Sequence, residues 1–153
     1  MNYHDPDSLY RIFSQVIRLH YQRMHQLLDA VGIYPGQPQM LFALHMANGQ
    51  SQKDLAAKLK IKPATITVML KRMEKAGLVE RRPDPTDQRV SRVYLTEAGQ
   101  ATWHEVTQVL RVIDKECFGN FSLEEQGLLR KMLLQLRANL SAACAKTGDE
   151  LDG

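Results

Sequence analysis

The residues best suited to specific chemistry in this sequence are basic, and they are concentrated between positions 50 and 96. This segment holds eleven lysines and arginines but only five carboxylates, a net charge of +6, whereas the rest of the chain sums to −3. Positive charge gathered in one segment is what a surface that binds a polyanion needs. A solvated basic face without a ligand explains the charges equally well, so the surrounding pattern decides between the two.

Two short helices joined by a tight turn are predicted within this basic segment. Ser51 suits the N-cap of the first helix, and residues 60–62 form the connection. Pro63 is tolerated in the first turn of the second helix, which is expected to run to Ala76 and to stop at Gly77. Two helices in this arrangement, the second of them basic, suggest a helix-turn-helix.

The second helix has two different faces when its residues are placed at about 100° per position. Its apolar side chains fall on one face, which we expect to lie against the core. The opposite face is small near the N-terminus and basic further on, which suits an approach to base edges and phosphates in the major groove. The candidate DNA-binding residues of this helix are Thr65, Thr67, Val68, Lys71 and Arg72. An ordinary amphipathic helix with a lysine-rich solvent face is the alternative.

A β-hairpin is predicted directly after this helix, within residues 78–95. Its rising strand ends in Arg81 and Arg82, and its tip returns through Asp87 and Arg89. An arginine on a protruding loop can enter the narrow, electronegative minor groove, and Asp87 is placed to hold Arg89 extended. The alternative is a surface hairpin with an incidental ion pair. A basic hairpin in series with a basic helix argues against that alternative.

Long helices with a single apolar stripe flank the basic segment. Residues 7–31 repeat apolar side chains at helical spacing, and two further helices are predicted from Thr96 to about Phe118 and from Ser122 onward. Such stripes usually pack against another helix, which can belong to another subunit. The expected fold is mainly α with a small β-hairpin wing, a winged helix-turn-helix with long terminal helices.

Several classes of protein and site find no support in the sequence. No apolar run approaches the ~20 residues of a membrane helix. Asp5 and Asp7 stand where a secretory signal would be basic and then apolar, so we expect a cytoplasmic protein. Cys117 and Cys144 match no metal spacing and are expected to be small buried side chains. The histidine spacing fits no metal site, and no GxSxG motif or glycine-rich phosphate loop occurs, so we expect no metal, cofactor or catalysis.

The hairpin carries the most specific motif of the chain. Residues 87–89, Asp-Gln-Arg, followed by residues 93–99, Val-Tyr-Leu-Thr-Glu-Ala-Gly, resemble the wing signature of the MarR family of bacterial and archaeal transcription regulators. Residues 55–67 and 73–82 are similar to that family's recognition helix and the strand after it. The motifs cover about residues 51–99, and the order of helices covers nearly the whole chain.

The resemblance implies a homodimer that binds double-stranded DNA. Residues 1–33 and 97–146 would form the dimerisation helices, residues 34–96 the DNA-binding lobe, and residues 147–153 a flexible tail. The two recognition helices would enter successive major grooves of a pseudo-palindromic operator, and each wing would reach the flanking minor groove.

Individual positions match or depart from the family's pattern. The matches are Thr65 and Thr67 at polar positions of the recognition helix, Arg89 at the wing-tip arginine and Asp87 at the acid that orients it. The departures are Val68, where many members carry Arg, and Lys62, where a Ser cap is common. Both departures bear on base preference and not on the mode of binding.

The resemblance also implies a response to a small ligand. Many members bind aromatic or phenolic molecules between the dimer region and the DNA-binding lobe; the zinc and peroxide sensing of some relatives does not fit the histidines and cysteines here. The residues expected to line an aromatic ligand site are His20, Tyr21, Phe42, His45 and Trp103. Aromatic side chains at such spacings are more often simply core.

The expected function is that of a sequence-specific DNA-binding transcriptional regulator, a repressor whose DNA affinity responds to a small ligand. The alternative is a winged-helix protein-interaction module whose basic wing grips an acidic partner. Neither hypothesis makes the chain an enzyme.

Overall fold

A computed structural model describes residue 5, residues 7–34 and residues 36–151, with side chains as far as residue 145. In chain order the helices and strands are α1 (Leu9–Ala30), α2 (Gln37–Met46), β1 (Gln50–Ser51), α3 (Gln52–Leu59), α4 (Pro63–Lys75), β2 (Val79–Pro83), β3 (Ser91–Leu95), α5 (Glu97–Phe118) and α6 (Leu123–Leu151). The mainly helical fold with a small β wing is therefore confirmed. Residues 1–4 and 6 of the predicted first segment, residue 35 of the predicted DNA-binding lobe and residues 152–153 of the predicted tail lie outside the described residues. The chain divides into two compact units between Ile113 and Asp114.

The three strands form one antiparallel sheet in the order β1-β3-β2. β2 and β3 are the predicted hairpin, with Val79 opposite Leu95. β1, which places Gln50 opposite Val93, is absent from the sequence-based prediction, because a two-residue strand shows no alternation. Gly49 turns the chain into β1 at φ +78°, and its N–H donates to the Val93 carbonyl oxygen at 3.0 Å.

The face of α4 that was expected to lie against the core does so. Ile66, Leu70 and Met73 are fully buried, and Met69 is half-buried. They join one apolar cluster that also contains residues of α2, α3, the sheet and α5, among them Leu44, Leu55, Val93 and Val106. Burial of this face turns the opposite face of α4 outward, as helical periodicity requires.

Side-chain caps fix the helix starts that the sequence predicts. Ser51 Oγ accepts the Asp54 N–H at 3.1 Å at the start of α3. At the start of α6 the cap is reciprocal: the Ser122 N–H donates to the Glu125 carboxylate at 2.8 Å, and the Glu125 N–H donates to Ser122 Oγ at 3.2 Å. α6 then continues to Leu151, beyond the predicted end of the helix.

Apolar side chains remain exposed along α1 and α6. On α1 they include Leu9, Ile12, Val16 and Ile17, and on α6 they include Leu123, Leu128, Met132, Leu133 and Leu140, all at least 45% exposed. Single exposed apolar residues are ordinary, but contiguous apolar stripes usually mark an interaction surface.

The prediction that both cysteines are buried is wrong. Cys117 is half-buried and Cys144 is exposed, because the amphipathic helices that carry them leave these positions outside the apolar cluster. No described helix combines the length and the apolar character that crossing a bilayer requires.

Gly99 allows the first turn of α5 to lie directly on the chain that enters β2. A Cβ atom at this position would be 2.0 Å from the Leu78 carbonyl oxygen. Hydrogen bonds hold the approach: the Thr96 N–H donates to the same Leu78 oxygen at 3.1 Å, and Thr96 Oγ1 accepts the Gly99 N–H at 3.1 Å. A backbone oxygen cannot swing aside as the end of a side chain can, so only glycine fits.

Gly99→Ala is expected to lower the free energy of unfolding by about 1–3 kcal/mol, because the added methyl group forces the backbone of α5 away from Leu78. Gly127→Ala is the matched control, since a Cβ at that position of α6 meets nothing within 4 Å. The control should gain roughly 0.5–1 kcal/mol from better helix propensity. Urea unfolding measures both, and equal stability of the two variants would contradict the close approach.

Candidate nucleic-acid interface

The outward face of α4 is small at its start and basic toward its end. Thr65, Val68, Lys71 and Arg72 are all exposed. Lys62 occupies the N-cap but makes no side-chain cap bond, so the first N–H groups of α4 have no side-chain acceptor. Backbone N–H groups without an acceptor at the start of a helix, together with lysine and arginine side chains later in the helix, are groups that contact phosphates and base edges.

Thr67 lies at the edge of that open face, and its hydroxyl is already engaged by other groups of the lobe. Its side chain is half-buried, its hydroxyl donates to the Pro63 carbonyl oxygen at 2.8 Å, and its oxygen accepts the Gln52 Nε2–H at 2.6 Å. The hydroxyl therefore has no proton left to donate to a base, and the contact of Thr67 with DNA stays a prediction. A threonine inside a helix reaches the carbonyl four residues earlier without strain, and that bond takes the only proton the hydroxyl has.

Arg81 is half-buried, and its guanidinium is engaged by other groups of the lobe. Nη1 donates to Gln52 Oε1 at 3.3 Å. Nε is 3.1 Å from Glu74 Oε2, but off the line of its N–H bond, so this contact is an ion pair without a hydrogen bond. The contact of Arg81 with DNA stays a prediction, because the side chain keeps only 27% of its surface exposed. The side chain joins β2 to α3 and α4.

Arg82 keeps an outward position. Its guanidinium carbon lies 4.6 Å from the centre of the Tyr94 ring, and it pairs with Glu80 while its side chain stays 60% exposed. The aromatic ring fixes the cation on the sheet surface without removing it from water. The exposed guanidinium leaves the contact of Arg82 with DNA a prediction.

Asp84, which is not among the predicted site residues, organises the turn of the wing. The residue is 5% exposed. One carboxylate oxygen accepts the N–H of Thr86 at 2.8 Å, its hydroxyl at 2.6 Å and the N–H of Asp87 at 3.1 Å, and the other oxygen accepts Arg92. These bonds, those from Thr86 first, favour the charged form and hold the pKa of Asp84 well below its ordinary value.

Arg92 connects the wing to the rest of the sheet. Its Nε donates to Asp84, and its Nη1 donates to the Gly49 carbonyl oxygen at 2.9 Å. Hydrogen bonding to Asp84 raises the pKa of the Arg92 guanidinium, which stays charged. One signal for this arrangement was present in the sequence: an aspartate two residues before Thr86 favours a turn in which the carboxylate folds back onto the chain.

Arg89 stands at the wing tip, where a backbone bond positions it. Asp87 Oδ1 accepts the Arg89 N–H at 3.0 Å, and the Val90 N–H donates to the Asp87 carbonyl oxygen at 2.9 Å. The contacts between described residues do not include the expected grip of Asp87 on the Arg89 guanidinium. Asp87 instead shapes the turn from which the exposed Arg89 side chain projects.

The aromatic residues predicted to line a ligand site are only partly brought together. The Trp103 ring lies 5.6 Å from that of Phe42 and 5.4 Å from that of His45. Tyr21 contacts a different ring, that of His25, edge-on at 4.8 Å, and His20 is exposed on α1. Phe42 and His45 are themselves exposed. Within the described ranges, no group of three or more potential metal ligands occurs.

An open groove of about 830 Å³ runs beside α4. The residues that line it include Tyr34, Gln37, Thr65, Val68, Met69 and Arg72. Three of these belong to the exposed face of α4, so a molecule in the groove and a DNA duplex on that face would contact the same side chains. The sequence does not predict the groove, because its walls come from separate segments of the chain.

Comparison with known proteins places these features in one family. The sequence pattern of the MarR family matches residues 33–91. The chain is 34% identical over 110 residues to YdgJ, an uncharacterized HTH-type transcriptional regulator of Bacillus subtilis (strain 168), a match that covers 72% of this chain and 67% of YdgJ. It is 28% identical over 119 residues to the HTH-type transcriptional repressor IacR of Pseudomonas putida, which covers 78% of this chain and 71% of IacR. Wild-type MarR from E. coli, in its apo crystal structure, is 25% identical with a TM-score of 0.72, over 84% of this chain and 96% of MarR.

Asp84→Asn is expected to destabilise the lobe most at neutral pH. Because the pKa of Asp84 is lowered in the folded chain, its carboxylate contributes stability that is fully present above the ordinary aspartate pKa of about 4. That contribution is lost as the pH falls toward the lowered value. The difference in the free energy of unfolding between wild type and variant should be constant above about pH 5 and should shrink below about pH 4.

Urea unfolding at a series of pH values measures this difference. Asp29→Asn, at an exposed position of α1, is the matched control and should show a small difference from wild type throughout. If the Asp84→Asn difference stayed constant down to about pH 2, the carboxylate would not be held by the bonds described.

Proposed function

The chain belongs to the MarR family of transcriptional regulators, and we propose that it acts as a repressor: a homodimer that holds a pseudo-palindromic operator and releases it when a small ligand binds. The observation that supports this most directly is the exposed small and basic face of α4, which shares one apolar core with the basic wing. Membership of a family of transcriptional regulators also confirms that the chain is not an enzyme.

The proposed contacts with DNA divide between the two grooves. Thr65 and Val68 suit the base edges of the major groove, and Lys71 and Arg72 suit the phosphates beside it. Arg89 at the wing tip suits the narrow minor groove, where the negative potential is strongest. Arg82 adds an exposed cation near the end of β2.

A second copy of the chain is the proposed partner of the exposed apolar stripes. The stripe on α1 and the stripe on α6 would both be costly in water, and a symmetric partner carries the same two surfaces. Two lobes related by a two-fold axis would then meet half-sites about one helical turn apart, which makes the operator pseudo-palindromic.

Repression is proposed as the sign of regulation, and the cytoplasm as the location. IacR, one of the relatives, is named a transcriptional repressor. A dimer that occupies two successive major grooves and their flanking minor grooves also excludes other proteins from that stretch of DNA. A cytoplasmic protein of this kind has direct access to the chromosome that it controls.

Two places are proposed for the small ligand. The groove beside α4 is the first choice, because its volume of about 830 Å³ suits a small molecule and Arg72 supplies a cation for a carboxylate. The second is the group of Phe42, His45 and Trp103, which offers aromatic faces. Only an occupant of the groove would meet the DNA-facing side chains directly.

Arg89→Glu is expected to weaken operator binding roughly tenfold or more, because a carboxylate at each wing tip would repel the phosphates. The operator is first identified by footprinting the DNA upstream of the protein's own gene. Fluorescence anisotropy with that duplex, repeated over a range of salt concentrations, then measures the affinity. For the wild-type protein the affinity should fall steeply with salt, since each neutralised phosphate releases counterions.

Arg111→Glu is the matched control for this charge reversal. Arg111 is exposed on α5, where it donates to Gln108 at 3.4 Å, and its reversal should leave DNA binding within about twofold of wild type. An unchanged affinity of Arg89→Glu would contradict the proposed DNA contact. That result would favour the alternative, a winged helix whose basic wing binds an acidic protein.

A small aromatic acid that releases the DNA is expected to act through the groove, so Tyr34→Ala should raise the concentration needed for release several-fold. The chain has a single tryptophan, Trp103, whose emission reports on the aromatic group and not on the groove. Phe42→Ala is the matched control and should leave the release curve unchanged. A shift in Trp103 emission on titration, together with a loss of response in Phe42→Ala, would place the ligand at the aromatic group instead.

A further inference from the structure

One chain of hydrogen bonds links three elements of the lobe. It starts at Arg81 on β2, whose Nη1 donates to Gln52 Oε1 at 3.3 Å. Gln52, at the first position of α3, donates through Nε2 to Thr67 Oγ1 at 2.6 Å. Thr67, in the second turn of α4, donates to the Pro63 carbonyl oxygen at 2.8 Å. Each group donates to the next, so each bond polarises its neighbour.

Gln52 is the residue that makes this chain continuous. Its side chain accepts on one side and donates on the other, which an amide does and which neither a carboxylate nor an ammonium group does. Its half-buried position keeps the amide between β2 and α4. Ser51 caps α3 one residue earlier and fixes the backbone from which the Gln52 side chain leaves.

These bonds fix the orientation of the Thr67 hydroxyl. Thr67 lies between the buried Ile66 and the exposed Val68. A free hydroxyl rotates, and it offers a base either a proton or a lone pair. The Thr67 hydroxyl has its proton on Pro63 and one lone pair on Gln52, so it offers a single fixed arrangement of one lone pair and one methyl group.

We propose that Gln52 is a positioning residue for sequence recognition: it locks the Thr67 hydroxyl and thereby narrows the choice of base at one position of each half-site. Gln52 acts through Thr67 and belongs to α3, not to the helix that faces the bases. This inference rests on the proposed DNA-binding function. Arg81 serves the same arrangement from the other side, because it holds the Gln52 amide in the orientation that donates to Thr67.

The test compares four proteins on one library of DNA duplexes. The proteins are wild type, Gln52→Met, Thr67→Val and the double variant, and the duplexes carry a randomised core of about two helical turns. Gln52→Met keeps the length of the side chain and removes both amide bonds, and Thr67→Val removes the hydroxyl alone. Bound duplexes are sequenced to give base preferences, and affinity for one fixed random duplex is measured at several salt concentrations.

Gln52→Met should relax discrimination about fivefold or more at a single base pair of each half-site. Affinity for the random duplex should stay within about twofold of wild type, and its salt dependence should not change, because no phosphate contact is lost. In the Thr67→Val background, Gln52→Met should cause no further change in base preference, since the group it positions is gone. A residue that only stabilised the fold would lower all affinities together.

Three further variants complete the design. Gln100→Met, at an exposed position of α5, controls for the loss of an amide and should match wild type. Lys71→Gln, a phosphate-facing change, should weaken all sequences alike and lower the salt slope by about one for each of the two protomers. Gln52→Glu keeps a partner for Arg81 but cannot donate to Thr67, so it should relax discrimination as Gln52→Met does, even if the latter folds poorly.

The outcomes separate this inference from the proposed function. Base preferences unchanged in folded Gln52→Met and Gln52→Glu would overturn the positioning role while leaving DNA binding intact. Additive effects of Gln52→Met and Thr67→Val would also overturn it, because Gln52 would then act independently of Thr67. A wild-type protein that shows no preference among the duplexes would overturn the proposed function together with the inference.

Discussion

The DNA-binding lobe depends on one charged contact inside its sheet, the pairing of Arg92 with Asp84. Arg92 lies on β3, the central strand, and a single guanidinium reaches the turn of the wing on one side and Gly49 before β1 on the other. Asp84 in turn organises the backbone as far as Asp87, and Asp87 shapes the turn that presents Arg89. Loss of either partner would leave polar groups of the other without their bonds, so the position of the wing tip follows from this pair.

The contacts of the acidic side chains explain how residues 50–96, with five carboxylates, still present a basic surface. Three of its carboxylates, Glu74, Glu80 and Asp84, pair with arginines of the sheet. The other two, Asp54 and Asp87, accept backbone N–H groups or a hydroxyl close to them in the chain. Each of these carboxylates therefore has a partner within the lobe, and in the described part of the chain none of the ion pairs involves Lys71, Arg72 or Arg89.

Local features of this fold could be predicted from the sequence, and contacts between distant segments could not. The Ser51 cap acts within one helical turn, and the apolar face of α4 follows from its period, so these two predictions are confirmed. Arg92 and Gly49, which are hydrogen-bonded, lie 43 positions apart in the sequence, and no local pattern of residues predicts this bond. For the same reason a solvent-facing basic residue and a structural one look alike in the sequence, as Arg81 and Arg82 show.

In the candidate site, too, features set by neighbouring residues could be predicted, and features set by distant residues could not. The wing tip was predictable because turn residues and a tip arginine are adjacent in the chain. The engagement of Thr67 was not, because its partner Gln52 lies on another helix. The exposure of Cys144 was not predicted for a related reason. The helical spacing of apolar residues indicates which residues share a face, but not whether another part of the protein covers that face.

The uncovered apolar stripes of α1 and α6 have a consequence for the life of the protein in a cell. When a partner covers such surfaces, folded chain and partner are linked by mass action, so dilution destabilises the fold. A newly made protomer at low copy number then spends time with its stripes open to chaperones and proteases. Below a concentration set by the dissociation constant of the dimer, chains would be degraded before they pair, so the steady-state level of such a protein would depend on its own association.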